Sequence, residues 1–182
     1  MIAIDLCIFP TDYKRVVLPE LAAYSLSIEN TGGSSNISEA LSMKYMYMRY
    51  GTTEFIPEME VSYWIDYKKV DYLMFDKKNG EYIGVSVTRA VPYPRDGEYT
   101  LQQAETLLQK KLYGLVVARS SVSDDYGFST SILHIWCYNK MAAINIQKAH
   151  VLLLNGPDAS IFESVSVICT ICGNDYIYTN RM

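Results

Sequence analysis

Long apolar runs are missing from this 182-residue chain. None approaches the ~18 residues that a membrane-crossing helix needs, so no membrane partner is expected. The opening stretch MIAIDLCIFPTDYKR has no basic start, and Asp5 interrupts its short apolar segment; it reads as a poor secretory signal. Cysteine is scarce: Cys7, Cys137, Cys169 and Cys172 are too few and too scattered for a disulfide scaffold. A reduced, intracellular protein, cytoplasmic or nuclear, is the expectation. Cys169-Thr-Ile-Cys172 has CxxC spacing, but in the run VSVICTIC residues three apart point to opposite strand faces, and neither a second CxxC nor a paired His completes a zinc site. These read as buried structural cysteines. Histidine is scarcer still. His134 lies in an apolar strand and reads as a hydrogen-bonded core residue; neither it nor His150 pairs with a Cys or Ser in a nucleophilic arrangement. Excess positive charge is also lacking. Sixteen Lys and Arg stand against twenty Asp and Glu, a net charge of −4, so nucleic-acid binding would have to come from a local patch. Gly80, Gly84 and Gly97 form no phosphate-cradling pattern.

What is present is globular composition. About half of the residues are apolar and a fifth charged, which suits one domain over 1–182. The sixteen tyrosines suit half-buried strand faces. GGSS at 32–35 is the most flexible-looking piece. After it, apolar positions 37, 41, 45 and 48 predict a helix over 38–50, with Asn36 or Ser38 as cap, Glu39 in its first turn and Gly51 at its end. Within it Met43, Met46 and Met48 read as core filler. A strand is predicted over 52–63, weakened by Pro57. Strands over 69–76 and 82–90 follow. Thr100 with Gln103 forms a capping box, and the stripe 101, 104, 107, 108, 112, 115, 116 predicts a long amphipathic helix. A strand over 128–138, a helix over 140–153, a strand over 163–172 and a short last strand over 176–179 complete the order. The fold class is therefore α/β: a single domain with a mixed β-sheet flanked by helices on both faces, in which the passage 82–138 makes a parallel crossover.

The most informative stretch is KVDYLMFDKKNGEYIGVSVTRA, 69–90. Asn79-Gly80 signals a hairpin turn. A two-residue loop places Asp71 opposite Thr88; a four-residue loop over 77–80 places it opposite Ser86. Both registers put Asp71 on the face of Gly84, Ser86 and Thr88. Asp is disfavoured in strands and costly to bury, so a carboxylate among Val70, Tyr72, Leu73 and Met74 marks a candidate site.

This order resembles the αβββαβ core of the PD-(D/E)XK nuclease superfamily, the restriction-endonuclease-like fold, over about 36–138, with a C-terminal helix and strand added. GVSVTRA and LLQKKLYG also look like stretches of eukaryotic proteins associated with that fold. In the superfamily a helix often carries a Glu, an Asp sits on the first hairpin strand and a (D/E)-x-K on the second. Residue by residue, Glu39 matches the helix acid and Asp71 the strand Asp. The (D/E)-x-K place on the face of Asp71 is Ser86-x-Thr88, where neither residue is of the expected type.

The resemblance implies Mg²⁺- or Mn²⁺-dependent hydrolysis of DNA or RNA phosphodiesters, with Glu39, Asp71 and Glu58 or Glu60 around the cation. Lys110 or Lys111 would supply the positive group that Thr88 cannot. The catalytic candidates are Asp71, Glu39, Ser86, Thr88, Arg89 and Lys110; the metal candidates are Asp71, Glu39 and Glu60. Arg89 joins only if a bulge turns it onto the face of Asp71. The basic pairs Lys68-Lys69, Lys77-Lys78 and Lys110-Lys111 suggest nucleic-acid contact through Lys69, Lys77, Lys78 and Lys111. Two alternatives stay open. One is a degenerate member that binds nucleic acid, a protein partner or a second copy without catalysis; the other is a scaffold domain in which Asp71 is a structural acid.

Overall fold

The apolar strand sequences FSTSILHIWC and VSVICTI have helices to cover them on both sides, so they form the middle of the sheet. In the computed structural model, which describes residues 1–27 and 35–179, they are β5 (Phe128–Cys137) and β6 (Val165–Ile171). Around them lie β1 (Ile2–Leu6), β2 (Phe55–Pro57), β3 (Tyr72–Asp76) and β4 (Glu81–Ala90), in the order β1-β6-β5-β4-β3-β2. The first four of that order run parallel; β3 and β2 are antiparallel additions at one edge. The fold is a single six-stranded mixed sheet with helices.

Each face is closed by its own layer. Helices α3 (Leu101–Ser121) and α4 (Lys140–Leu154) cover one face, burying Ala104, Leu108, Leu112 and Ile146 against Leu73, Ala90, Leu133 and Cys169. Helices α1 (Glu20–Ser27), α2 (Asn36–Tyr50) and α5 (Asp175–Thr179) cover the other, burying Leu41, Met43 and Met46 against Tyr72, Val85, Val87 and Trp136. Strand parity sorts the residues between the layers, which explains why Cys169 and Cys172 lie in different cores.

Local chemistry accounts for the boundaries. Thr100 caps α3 through a reciprocal box with Gln103. Gly51 ends α2 at φ 69°, a left-handed conformation that suits glycine, and donates to the carbonyl of Tyr47 at 2.9 Å. The N-cap of α2 is Ser35, one residue before the expected candidates. Residues 32–34 of GGSS lie outside the described residues. Met48 is exposed, unlike Met43 and Met46.

Two expectations need correction, and two elements were not expected. The predicted strand over 52–63 is β2 alone, because the chain turns into a 3₁₀ helix at Glu58–Glu60 directly after Pro57. The predicted strand over 176–179 is helical: α5 buries Tyr176, Ile177 and Tyr178 together, and packing overrides their strand propensity. Strand β1 and helix α1 carry no expectation from sequence; β1 extends the sheet by parallel pairing with β6.

Candidate active site

The site forms where the hairpin ladder stops. Strands β3 and β4 pair from Asp76↔Glu81 to Tyr72↔Val85, across a four-residue loop. Gly80 turns that loop at φ 72°, and Asp76 holds it by accepting from the backbone N–H of Lys78 at 3.0 Å and from Asn79 Nδ2 at 2.7 Å. This is the register that sets Asp71 opposite Ser86. Asp71 lies one residue ahead of β3. Its N–H donates to the carbonyl of Val85 at 3.0 Å, which continues the ladder one rung.

Beyond that rung β4 runs on to Ala90 with no strand beside it on this side among the described residues. The Asp71 side chain takes the place of the missing strand: its Oδ2 accepts from the N–H of Val87 at 2.6 Å and from Ser86 Oγ at 2.9 Å. That arrangement explains a carboxylate at the mouth of an apolar strand. Two donors, one of them a ladder N–H that would otherwise be orphaned, offset its desolvation.

Charged groups from both helical layers reach this edge. Lys111 comes from α3, with Nζ 3.5 Å from the carbonyl of Val87. A contact that long is weak as a hydrogen bond; the attraction of Asp71 and Glu39 is the stronger reason for its position. Glu39 comes from the first turn of α2, in the opposite layer, where the hydroxyl of Ser35 donates to it. Burial, then the negative charge of Asp71, push the Glu39 carboxyl up to about 7, against the pull of Ser35 and Lys111. Burial also raises the Asp71 carboxyl, although Lys111, the Val87 N–H and Ser86 oppose the rise. Glu58 is raised by burial and by Asp71 as well, and its N–H donates to the carbonyl of Asp71 at 3.1 Å.

The remaining sequence candidates fall at various distances. Thr88 shares the parity of Ser86, further along the open edge. Arg89 has the opposite parity and lies in the other layer, where it donates to the carbonyl of Ile177 at 3.3 Å and feels the charge of Glu39. The single irregularity between β4 and β5 lies at Tyr82/Ile83, so no bulge turns Arg89 round. Lys110 is exposed, whereas Lys111 lies beside Leu108, Leu112 and Leu115 on the packed side of α3. Glu58 and Glu60 are both exposed on the 3₁₀ turn, and Glu58 is the one that senses Asp71. Lys77 and Lys78 stand at the hairpin tip, about 20 Å along the strand from Asp71 at ~3.4 Å per residue; Lys77 pairs with Glu54 at 3.2 Å. Lys69 is two residues from Asp71 and pairs with Asp66 at 2.8 Å. His134 is fully buried away from this edge, bonded to Ser42 Oγ at 2.7 Å and Thr170 Oγ1 at 2.9 Å.

Glu58 and Lys111 were the signals easiest to misread. Lys111 falls on the helical stripe through 104, 108 and 115, and a cation on an apolar stripe is the pattern that distinguishes it from Lys110.

Among the described residues no three His, Cys, Asp or Glu side chains form a ready metal cage. Glu39 and Asp71 are the two acids here whose charges act on one another, and they are the residues that could face a cation.

No family model and no solved structure matches the chain. A Dictyostelium discoideum protein described as the AAC-rich mRNA clone AAC4 protein is 29% identical to it over 140 residues, an alignment covering 74% of this chain and 20% of that protein. The chain thus spans about a fifth of the length of that relative.

Proposed function

We propose that this domain is a divergent nuclease-fold phosphodiesterase acting on DNA or RNA, with Glu39, Asp71 and Lys111 as its working groups. One observation carries the reading: the Asp71 carboxylate and the Lys111 ammonium both lie against the backbone of Val87 at the open edge of β4, and Glu39, from the helix of the opposite layer, feels both charges. The element order of helix, three strands, helix and strand around that edge supports it, as does the resemblance of Glu39 and Asp71 to the acids of the PD-(D/E)XK pattern.

Each group has a part that follows from its surroundings. Asp71 is oriented by Val87 and Ser86. Glu39, whose carboxyl titrates near 7 with no cation bound, is the second acid that a cation would draw into its charged form. Lys111 supplies positive charge for the phosphate as negative charge develops on it, the task of the lysine that Thr88 replaces. Asp71 and Glu39 would be the residues to hold Mg²⁺ or Mn²⁺, which when bound would supply Lewis-acid polarisation of a phosphoryl oxygen.

A second reading has its own support. Ser86 and Thr88 stand where an acid and a lysine are expected, and Ser86 already donates to Asp71; a domain that binds nucleic acid without cutting it fits those facts. Cleavage separates the two readings. Purified protein is incubated with single-stranded DNA, duplex DNA and RNA in Mg²⁺ or Mn²⁺. The proposal expects cleavage that Asp71→Asn and Lys111→Met abolish and Lys110→Met leaves intact. No cleavage of any substrate overturns it in favour of the binding domain.

A further inference from the structure

Strand register sets two thiols side by side at one edge of the sheet. The β1–β6 pairing ends at Leu6↔Ile171, but its hydrogen bonds run one residue further: the N–H of Cys7 donates to the carbonyl of Ile171 at 3.1 Å. On its other side β6 is extended as well, since the N–H of Cys172 donates to the carbonyl of Cys137 at 3.0 Å. Cys7 and Cys172 therefore stand opposite each other on adjacent parallel chains, next in register after Leu6 and Ile171. Opposed residues share a sheet face, and both cysteines pack in the core covered by α1, α2 and α5. Neighbouring strands lie about 4.8 Å apart, inside the ~4.4–6.8 Å between Cα atoms that a disulfide spans. Two groups register the closeness. Cys172, after burial, helps to raise the Cys7 thiol, and the Tyr176 hydroxyl feels both sulfurs. This pair differs from the other two cysteines. Cys7 is half-buried, so a small oxidant reaches it, while Cys172 is 1% exposed. Cys137 and Cys169 have no exposed surface and lie two residues out of register, because Cys137 pairs with Ile171 and Cys169 with Ile135.

We infer that Cys7 and Cys172 form an oxidative modification site, at which a low-molecular-weight disulfide such as oxidised glutathione converts the two thiols into one intramolecular disulfide. The inference is independent of the nuclease reading above. Cys7, as its thiolate, attacks one sulfur of the oxidant; the oxidant's S–S bond breaks, a mixed disulfide forms and one thiolate leaves, taking up a proton. Cys172, having lost its proton to solvent, then attacks the Cys7 sulfur and expels the second small thiol. Two protein thiols are oxidised and one small disulfide is reduced to two thiols. The Cys172 thiol donates to Asn174 Oδ1 at 3.0 Å, and that bond is given up. In exchange the edge strand β1, whose Asp5 accepts from Tyr45 and Arg49 of α2, is tied covalently to β6. The bond closes nearly the whole chain into a loop, the case in which a cross-link restricts the unfolded state most.

Thiol mapping tests this directly. The full chain is reduced, freed of reductant and incubated with oxidised glutathione at mildly alkaline pH, which supplies thiolate. It is then unfolded in iodoacetamide and read by intact mass and peptide mapping. The expected product carries two alkylated cysteines instead of four, no glutathione adduct, and a peptide that joins Cys7 to Cys172. Its urea midpoint should lie above that of the reduced chain and return on addition of dithiothreitol. Cys172→Ala should stop at a glutathione adduct on Cys7, and Cys7→Ser should keep its three thiols. Four alkylated cysteines in the treated wild type overturn the inference, as do a lasting glutathione adduct on wild-type Cys7, a disulfide-linked dimer, or a linkage through Cys137 or Cys169. The wild-type products are decisive even if Cys172→Ala fails to fold.

Discussion

Replacing Glu39 by Gln should make the protein more stable at alkaline pH and leave it unchanged in acid. Glu39 is a carboxyl whose folded-state pKa is raised, from an ordinary 4.5 to about 7, chiefly by burial and then by the charge of Asp71. Between those values the native state holds more protons than the unfolded state, so stability falls as pH rises through that interval and stays low above it. At ~1.4 kcal/mol for each tenfold change in the protonation equilibrium, the loss amounts to ~3 kcal/mol above pH 7. Gln keeps the shape and an oxygen that can accept from Ser35, but carries no charge beside Asp71. The variant should therefore match wild type near pH 4 and exceed it by ~3 kcal/mol near pH 8. The difference between the two proteins is the quantity to follow, because His134 pulls the other way. Burial lowers its pKa to about 3, so it contributes stability that is lost as pH falls through the acid range, and this slope cancels in the difference. Urea unfolding of both proteins at a series of pH values in EDTA gives the curve. Parallel curves, with no widening gap between pH 4 and 8, would refute the carboxyl pair as described.

Two further outcomes are expected. Lys111→Met removes the cation that restrains both carboxyls, so the midpoint of Glu39 should move upward from about 7 in a ¹³C carboxyl titration, while Lys110→Met should leave it in place; equal behaviour of the two variants would count against the placement of Lys111. Ser42 bridges the Tyr72 hydroxyl and His134 Nδ1, each at 2.7 Å in the core, so Ser42→Ala leaves two buried groups short of a partner and should cost about 1–3 kcal/mol in denaturant unfolding; a change under ~0.5 kcal/mol would show the bridge to be unimportant.

The sequence was most legible where one local rule decides the outcome. The capping box at Thr100, the αL stop at Gly51 and the Asn79-Gly80 turn each depend on residues within a few positions, and each is present. The sheet face of Asp71 followed from parity alone, and the longer of two turn lengths fixed its partner as Ser86. Legibility failed where distant packing decides. Tyr176 to Tyr178 favour a strand locally, yet become a helix because all three side chains find places in the core under α2. Strand β1 is interrupted by Asp5 and exists through its pairing with β6. At the site, Glu58 and Glu60 are indistinguishable until the 3₁₀ turn after Pro57 brings the backbone of Glu58 against Asp71.

The position of Asp71 has a consequence for how this site differs from one carrying an acid and a lysine on the second strand. Such a strand displays both groups itself, from one side of the sheet. Here β4 contributes only a hydroxyl, a backbone N–H and a carbonyl, and the charges arrive from outside it: Asp71 from the segment just before β3, Lys111 from the layer above and Glu39 from the layer below. The meeting is feasible only because β3 begins at Tyr72 while β4 runs on to Ala90, leaving an edge that both helical layers can overhang. Extending β3 backward by even two paired residues would give the N–H and carbonyl of Val87 to a ladder and leave Asp71 and Lys111 without their backbone partners. The late start of β3, rather than any single charged residue, is thus the structural condition on which the site depends.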